Sequence, residues 1–172
     1  MKRALKVIWR IFIGLLAALS VFLLIWIIVL PLIRGRSIHH QLLSALDHAS
    51  SVKVVEHSCR WDAPFNPNYK EVTYATVVLT PDRVMSLHKA LPLALDCSGL
   101  LSTMCIFEEH HYIAITEQDG STLTLHICFH CGEIELNDDS QRIMPWGWPS
   151  SLSKFISSIG LHPDGPWPPT AK

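Results

Sequence analysis

Cys128-Phe129-His130-Cys131-Gly132 is the stretch of this chain best suited to chemistry. Two thiols three residues apart, followed by a glycine that can take positive φ, form a turn able to wrap a metal ion. Zinc would be the expected cofactor, but a single pair is half a tetrahedral site. Cys105, His110, His111 or Cys97 would have to supply the other ligands, and no second pair stands at a clear spacing. The same thiols could instead form disulfides. A thioredoxin-type redox couple needs its first cysteine at a helix N-terminus, where the dipole lowers its pKa. Gly132 to Leu136 reads as strand, which disfavours that mechanism. The chain has five cysteines (59, 97, 105, 128 and 131), so at least one lacks an intrachain partner and connectivity does not follow from sequence. Structural disulfides, unpaired core cysteines, a metal site and a redox couple all remain open.

A hairpin must position these groups. Asp119-Gly120 between two alternating runs signals a tight turn. A two-residue turn sets Gln118 opposite Ser121, His111 opposite Cys128 and Ile113 opposite His126. One face then collects His111, Ile113, Ile115, His126, Cys128 and His130. The other collects Tyr112, Ala114, Leu123, Leu125, Ile127 and Phe129 as core. A slip of one residue would exchange the faces of one strand.

Other candidates have bland readings beside the functional ones. Glu108-Glu109-His110-His111 could serve acid–base chemistry or form an exposed strand edge. Trp146-Gly147-Trp148-Pro149 could bind an apolar or sugar partner, or pack its loop onto the core. His39, His40 and His48 read as solvated surface. There is no phosphate-binding glycine loop, no Gly-x-Ser-x-Gly elbow and no His-Glu-x-x-His helix.

Cys105-Ile106-Phe107-Glu108-Glu109-His110-His111, followed by Ile127-Cys128-Phe129-His130-Cys131, resembles a pattern of bacterial membrane-anchored or secreted proteins: Cys-x-Phe…His, then Ile-Cys-Phe-x-Cys. The resemblance covers roughly Met104 to Ile159. No activity is attached to that group. The resemblance implies that Cys105, His110, Cys128 and Cys131 work as a set.

Around the hairpin, the expected elements are a helix from Ser37 to Ala49, continuing an N-terminal helix after a break at Gly35, and a strand over Ser51–His57. A loop over Arg60–Tyr69 leads to a strand over Glu71–Leu79. A helix then starts at Thr80-Pro81, where threonine can cap and proline suits the first turn. A short helix is expected over Leu93–Leu101. Strands follow over Thr103–Phe107 (or on to Thr116), Ser121–Phe129 and Glu133–Leu136, with a turn over Asn137–Ser140. A last helix covers Pro149–Ile159, capped at Gly160. This order predicts an α+β fold: a single N-terminal transmembrane helix, then a small antiparallel sheet of about five strands packed with helices.

Ile11 to Ile33 carries no charge. As a helix it would be roughly 35 Å long at about 1.5 Å per residue, enough for a ~30 Å bilayer core. It lacks a polar stripe to face water, and it outruns the h-region of a cleaved signal peptide. The expected organisation is a cytoplasmic basic N-terminus (1–10), a transmembrane helix (11–33), an α+β domain (37–162) and a Pro-rich tail (163–172). Six of the 14 basic residues precede Ser37, while all 15 acidic residues follow it. From Ser37 to Lys172 the chain holds the other 8 basic residues, a net charge of -7. That balance argues against nucleic acid as a partner. Four basic residues lie before the apolar stretch against two just after it, Arg34 and Arg36. The bias favours the N-terminus inside and the domain outside the cytoplasmic (inner) membrane. The expected function is a binding or accessory domain held at the membrane, with a protein partner in a membrane complex, rather than an enzyme. The alternative is a metal-binding or thiol-disulfide module centred on Cys128-x-x-Cys131.

Overall fold

A computed structural model describes residues 2–62, 67–98, 105–137 and 142–165. Helix α1 (Lys2–Leu24) passes through a π-turn (Ile25–Val29) into α2 (Leu30–Asp47). Pro31 explains the widened turn. Inside a helix its ring crowds the carbonyl four residues back and it offers no N–H. In the wider turn the Leu30 N–H reaches back to the Ile25 carbonyl, and such π-bulges absorb the misfit. The most apolar 18-residue window of this helix has no buried residue, and the helix is long and apolar enough to cross a membrane.

The break expected at Gly35 is absent, and Ser37, the expected first residue of a separate helix, lies inside α2. Gly35 is instead a close-approach residue. A Cβ there would collide with the Ala94 carbonyl oxygen, so the glycine lets another segment lie against the helix backbone. Beyond it, Leu42, Ala45 and Leu46 turn into the core.

The sheet has six antiparallel strands in the order β2-β1-β3-β4-β5-β6. These are β1 (Ala49–His57), β2 (Thr73–Val78), β3 (His111–Glu117), β4 (Thr122–Cys128), β5 (Glu133–Leu136) and the two-residue β6 (Arg142–Ile143). The arrangement is α+β. The sixth strand is too short to carry a periodic signal. α3 (Pro81–Ala90) and α4 (Trp148–Ser158) join α2 on one face of the sheet. Val52, Val54, Ile113, Ile115, Leu125, Ile127 and Ile134 meet Leu87, Leu152 and Ile156 there in one apolar cluster. α4 ends in a Schellman cap: Gly160 is left-handed at φ 90°, its N–H bonds Ser157 and the Leu161 N–H bonds Ile156.

Two expectations fail locally. Leu93–Ser98 is not helical; it is an extended segment with one bridge, Asp96 to Pro145. Cys105–His110 carries no strand, and β3 begins at His111. The remaining residues of the two expected elements, 99–101 and 103–104, lie outside the described residues, as do 138–140 of the expected turn.

The hairpin register is also displaced by one residue. His111 faces Ile127, Tyr112 faces His126 and Ile113 faces Leu125. The cause is a three-residue loop. The Gly120 N–H bonds the Glu117 carbonyl, and the Glu117 N–H bonds the Ser121 carbonyl. Gly120 sits at φ 87°, the left-handed position that follows a type I turn in such loops. Asp119 Oδ1 also accepts the Ser121 N–H and hydroxyl. His111 therefore shares the helix-covered face with Ile113, Ile115, Leu123, Leu125 and Ile127. Tyr112, His126 and Cys128 share the open face. The expected cluster of His111, His126, Cys128 and His130 on one face does not form.

Candidate functional site

The polar chemistry concentrates where β1 ends and β3 begins, and it divides between the two sheet faces. On the helix-covered face, strand alternation aims Glu56 inward after Val52 and Val54. Glu56 is 1 % exposed and His111 fully buried. The carboxylate is turned towards the segment after α4. Its Oε2 accepts the His162 backbone N–H at 3.0 Å, and its Oε1 meets His162 Nδ1 at 3.2 Å. His111 Nε2 lies 3.8 Å from Glu56 Oε2, and its ring meets Phe129 edge-on at 5.3 Å between centroids. Burial pushes the His111 imidazole down to about 3, with neighbouring histidines adding to the effect. His111 is thus a neutral core ring beside a carboxylate committed to His162. Glu108, His110, His111, His130 and Asp164 line a cleft of about 490 Å3 above them.

On the open face, His57, Tyr112 and His126 run across β1, β3 and β4. Ring centroids are 5.2 Å apart for the first pair and 5.8 Å for the second. Glu109 Oε2 is 2.7 Å from His126 Nδ1, and Glu71 Oε1 is 3.3 Å from His57 Nδ1. Burial pushes the Glu109 carboxyl up, but its hydrogen bond to His126 and the neighbouring charges outweigh that and hold it low. Arg142 pairs with Glu135 at 2.9 Å and lies over the Phe107 ring at 4.5 Å. His57, Tyr69, Glu71, Glu109, Glu135 and Arg142 line a second cleft of about 270 Å3.

The five residues singled out as ligands are only partly gathered. Cys105 and Cys131 form a disulfide across 26 residues of sequence, which takes two of the three thiolates such a site would use. Cys128 is a free, fully buried thiol packed with Phe107 and Cys131, and the Cys131 N–H points at its sulfur from 3.3 Å. Burial pushes this thiol up, so it stays protonated. Gly132 has the expected positive φ, 70°, and its N–H closes the turn onto the Cys128 carbonyl. His110 lies elsewhere, its Nε2 2.9 Å from Asp62 Oδ1 and its carbonyl accepting the His57 N–H. His111 is on the opposite sheet face from Cys128. Among the described residues no group of three His, Cys, Asp or Glu side chains has the geometry to hold a metal ion. Glu109, His110 and His111 are half-buried or buried rather than an exposed edge. The tryptophan pair splits: Trp148 is buried with its Nε1 donating to the Pro92 carbonyl at 2.6 Å, while Trp146 is 71 % exposed.

Glu56, His57, Asp62, Glu71 and His162 were not expected at a site. Only Glu56 left a signal in the sequence, as a carboxylate at the core-facing parity of an apolar strand. Comparison with known proteins adds nothing to this geometry: no family model, curated protein or solved structure matches the chain.

Proposed function

We propose that this protein is a single-pass membrane protein whose α+β domain is an accessory or binding module held at the outer face of the cytoplasmic membrane. The observation that carries the reading is the N-terminal helix, apolar on all sides and unburied through its most apolar window. A soluble protein would cover such a surface. The flanking charges favour a cytoplasmic N-terminus. The Cys105–Cys131 disulfide suits an oxidising compartment on the other side. Binding is favoured over catalysis because three carboxylates at the open-face cleft are already paired: Glu109 with His126, Glu71 with His57, and Glu135 with Arg142. Cys128 offers a protonated, enclosed thiol rather than a nucleophile. The occupant is expected to be a protein segment in a membrane complex.

Two experiments test this. The chain should resist extraction from membranes by alkaline carbonate and dissolve in detergent; release by carbonate would remove the anchor. A phosphatase that folds only outside the cytoplasm, fused after Lys172, should be active. Activity of a cytoplasm-only reporter at the same position would invert the orientation and leave the anchor standing.

A further inference from the structure

The segment Leu91–Asp96 runs antiparallel along α2 and is fastened to it at three levels. The Leu91 carbonyl meets His39 Nε2 at 2.9 Å. The Ala94 carbonyl presses on Gly35. The Asp96 N–H bonds the Pro31 carbonyl at 3.1 Å. The segment is extended, so its side chains alternate. Ala94 and Asp96 are buried, while Leu93 and Leu95 are 55 % and 41 % exposed. A second segment lies beside it: the Cys97 N–H bonds the Met144 carbonyl and the Trp146 N–H bonds the Leu95 carbonyl. That pairing brings the exposed Trp146 next to Leu95.

The level of this platform is fixed by the helix. Pro31 lies two residues before the end of the uncharged stretch at Ile33, about 3 Å along the axis, and Arg34 and Arg36 follow at once. Lone exposed leucines are ordinary on a protein surface. Here two leucines and a tryptophan gather at the level where an apolar helix changes to a basic one. Tryptophan is favoured at that depth of a bilayer, and arginine suits the headgroups just above it. We infer that Leu93, Leu95 and Trp146 form a second membrane contact, seated in the headgroup–acyl boundary of the leaflet from which α2 emerges. The domain would then lie on the bilayer surface rather than stand off it, its tilt set by two attachments. The inference rests on the transmembrane reading of the helix, and lipid is the occupant because the platform is continuous with that helix.

The test uses the full chain reconstituted into vesicles of phosphatidylcholine and phosphatidylglycerol carrying a phosphatidylcholine with a diazirine near the headgroup end of its acyl chain. After irradiation, adducts are mapped by mass spectrometry. Adducts are expected on the helix and, several-fold above the hairpin tip at Gln118–Gly120, on Leu93, Leu95 and Trp146. The variant Leu95→Ser with Trp146→Ser should lose the platform adducts and keep those on the helix. Helix adducts with the platform no more labelled than the hairpin tip would overturn the second contact and spare the span. Absence of adducts on the helix would overturn the transmembrane reading itself. Platform labelling that is weak and falls further as the protein-to-lipid ratio rises would assign the face to self-association and overturn the proposal.

Discussion

Acidification should destabilise this domain through the ring of His111. In the folded chain burial holds its pKa at about 3, against 6.5 for an ordinary histidine. Above about pH 6.5 both states leave the ring neutral and the folded state has its full stability. Between those two values the unfolded chain binds a proton that the folded chain refuses. Stability therefore falls as pH falls, by about 1.4 kcal/mol per pH unit. From pH ~7.5 to pH ~5 the loss is about 2 kcal/mol, or roughly 8 °C in melting temperature for a domain of this size. The assay is thermal unfolding in detergent, followed by near-ultraviolet circular dichroism, for the native chain and for His111→Phe. Phenylalanine keeps an aromatic ring against Phe129 and cannot titrate. Glu109 does not enter between pH ~7.5 and ~5, because its carboxyl is held below the ordinary 4.5. The difference between the two proteins should therefore grow steadily below about pH 6.5. Parallel pH profiles would refute the idea that a neutral, buried His111 governs acid stability.

Other outcomes follow from single contacts. Alanine is normally better than glycine inside a helix by about 1 kcal/mol, yet Gly35→Ala should destabilise by about 1–3 kcal/mol. Its Cβ meets the Ala94 carbonyl oxygen, so a raised melting temperature would contradict the close approach. Replacing Cys105 and Cys131 together by serine should cost about 3.5 kcal/mol, the chain-entropy value for a loop of this length, read from denaturant unfolding with and without reductant. Native protein treated with iodoacetamide should stay almost unmodified, because Cys59, Cys97 and Cys128 are buried and burial raises the pKa of each thiol. After denaturation without reductant, mass spectrometry should count three alkylated cysteines; fast modification of Cys128 in the native state would make it the reactive thiol this geometry denies.

The fold was legible where the signal was periodic and local. The apolar helix, the strands β1, β2, β4 and β5, and the glycine cap of α4 all follow from spacing and cap chemistry. What escaped depends on distant partners or on a single residue of loop length. Asp119-Gly120 marks a turn, but a two-residue and a three-residue loop carry nearly the same sequence. That one residue decides whether His111 points at the core or at the open face. Gly35 looks like a helix break because glycine is a poor helix former; its role is visible only once Ala94, far along the chain, is laid against it. Leu93–Ser98 has ordinary helix formers, yet the hydrogen bond from Asp96 to Pro31 and the bridge to Pro145 outweigh local preference. The cysteine motif left the pairing open; Cys105, rather than Cys128, holds Cys131.

The unbroken helix from Lys2 to Asp47 has a consequence for how this domain meets anything else. Many membrane-anchored modules hang on a flexible linker and sweep a volume whose radius grows with linker length. Here no linker intervenes, because the last turns of the apolar helix already belong to the domain's own packing. On the transmembrane reading, the domain has no reach. Its encounters are confined to a layer one domain thick, and a partner must arrive by lateral diffusion in the same bilayer or approach that surface from solution. The same continuity makes the helix a lever: a rotation or tilt imposed on it beyond the π-turn at Ile25–Val29 is passed to the sheet.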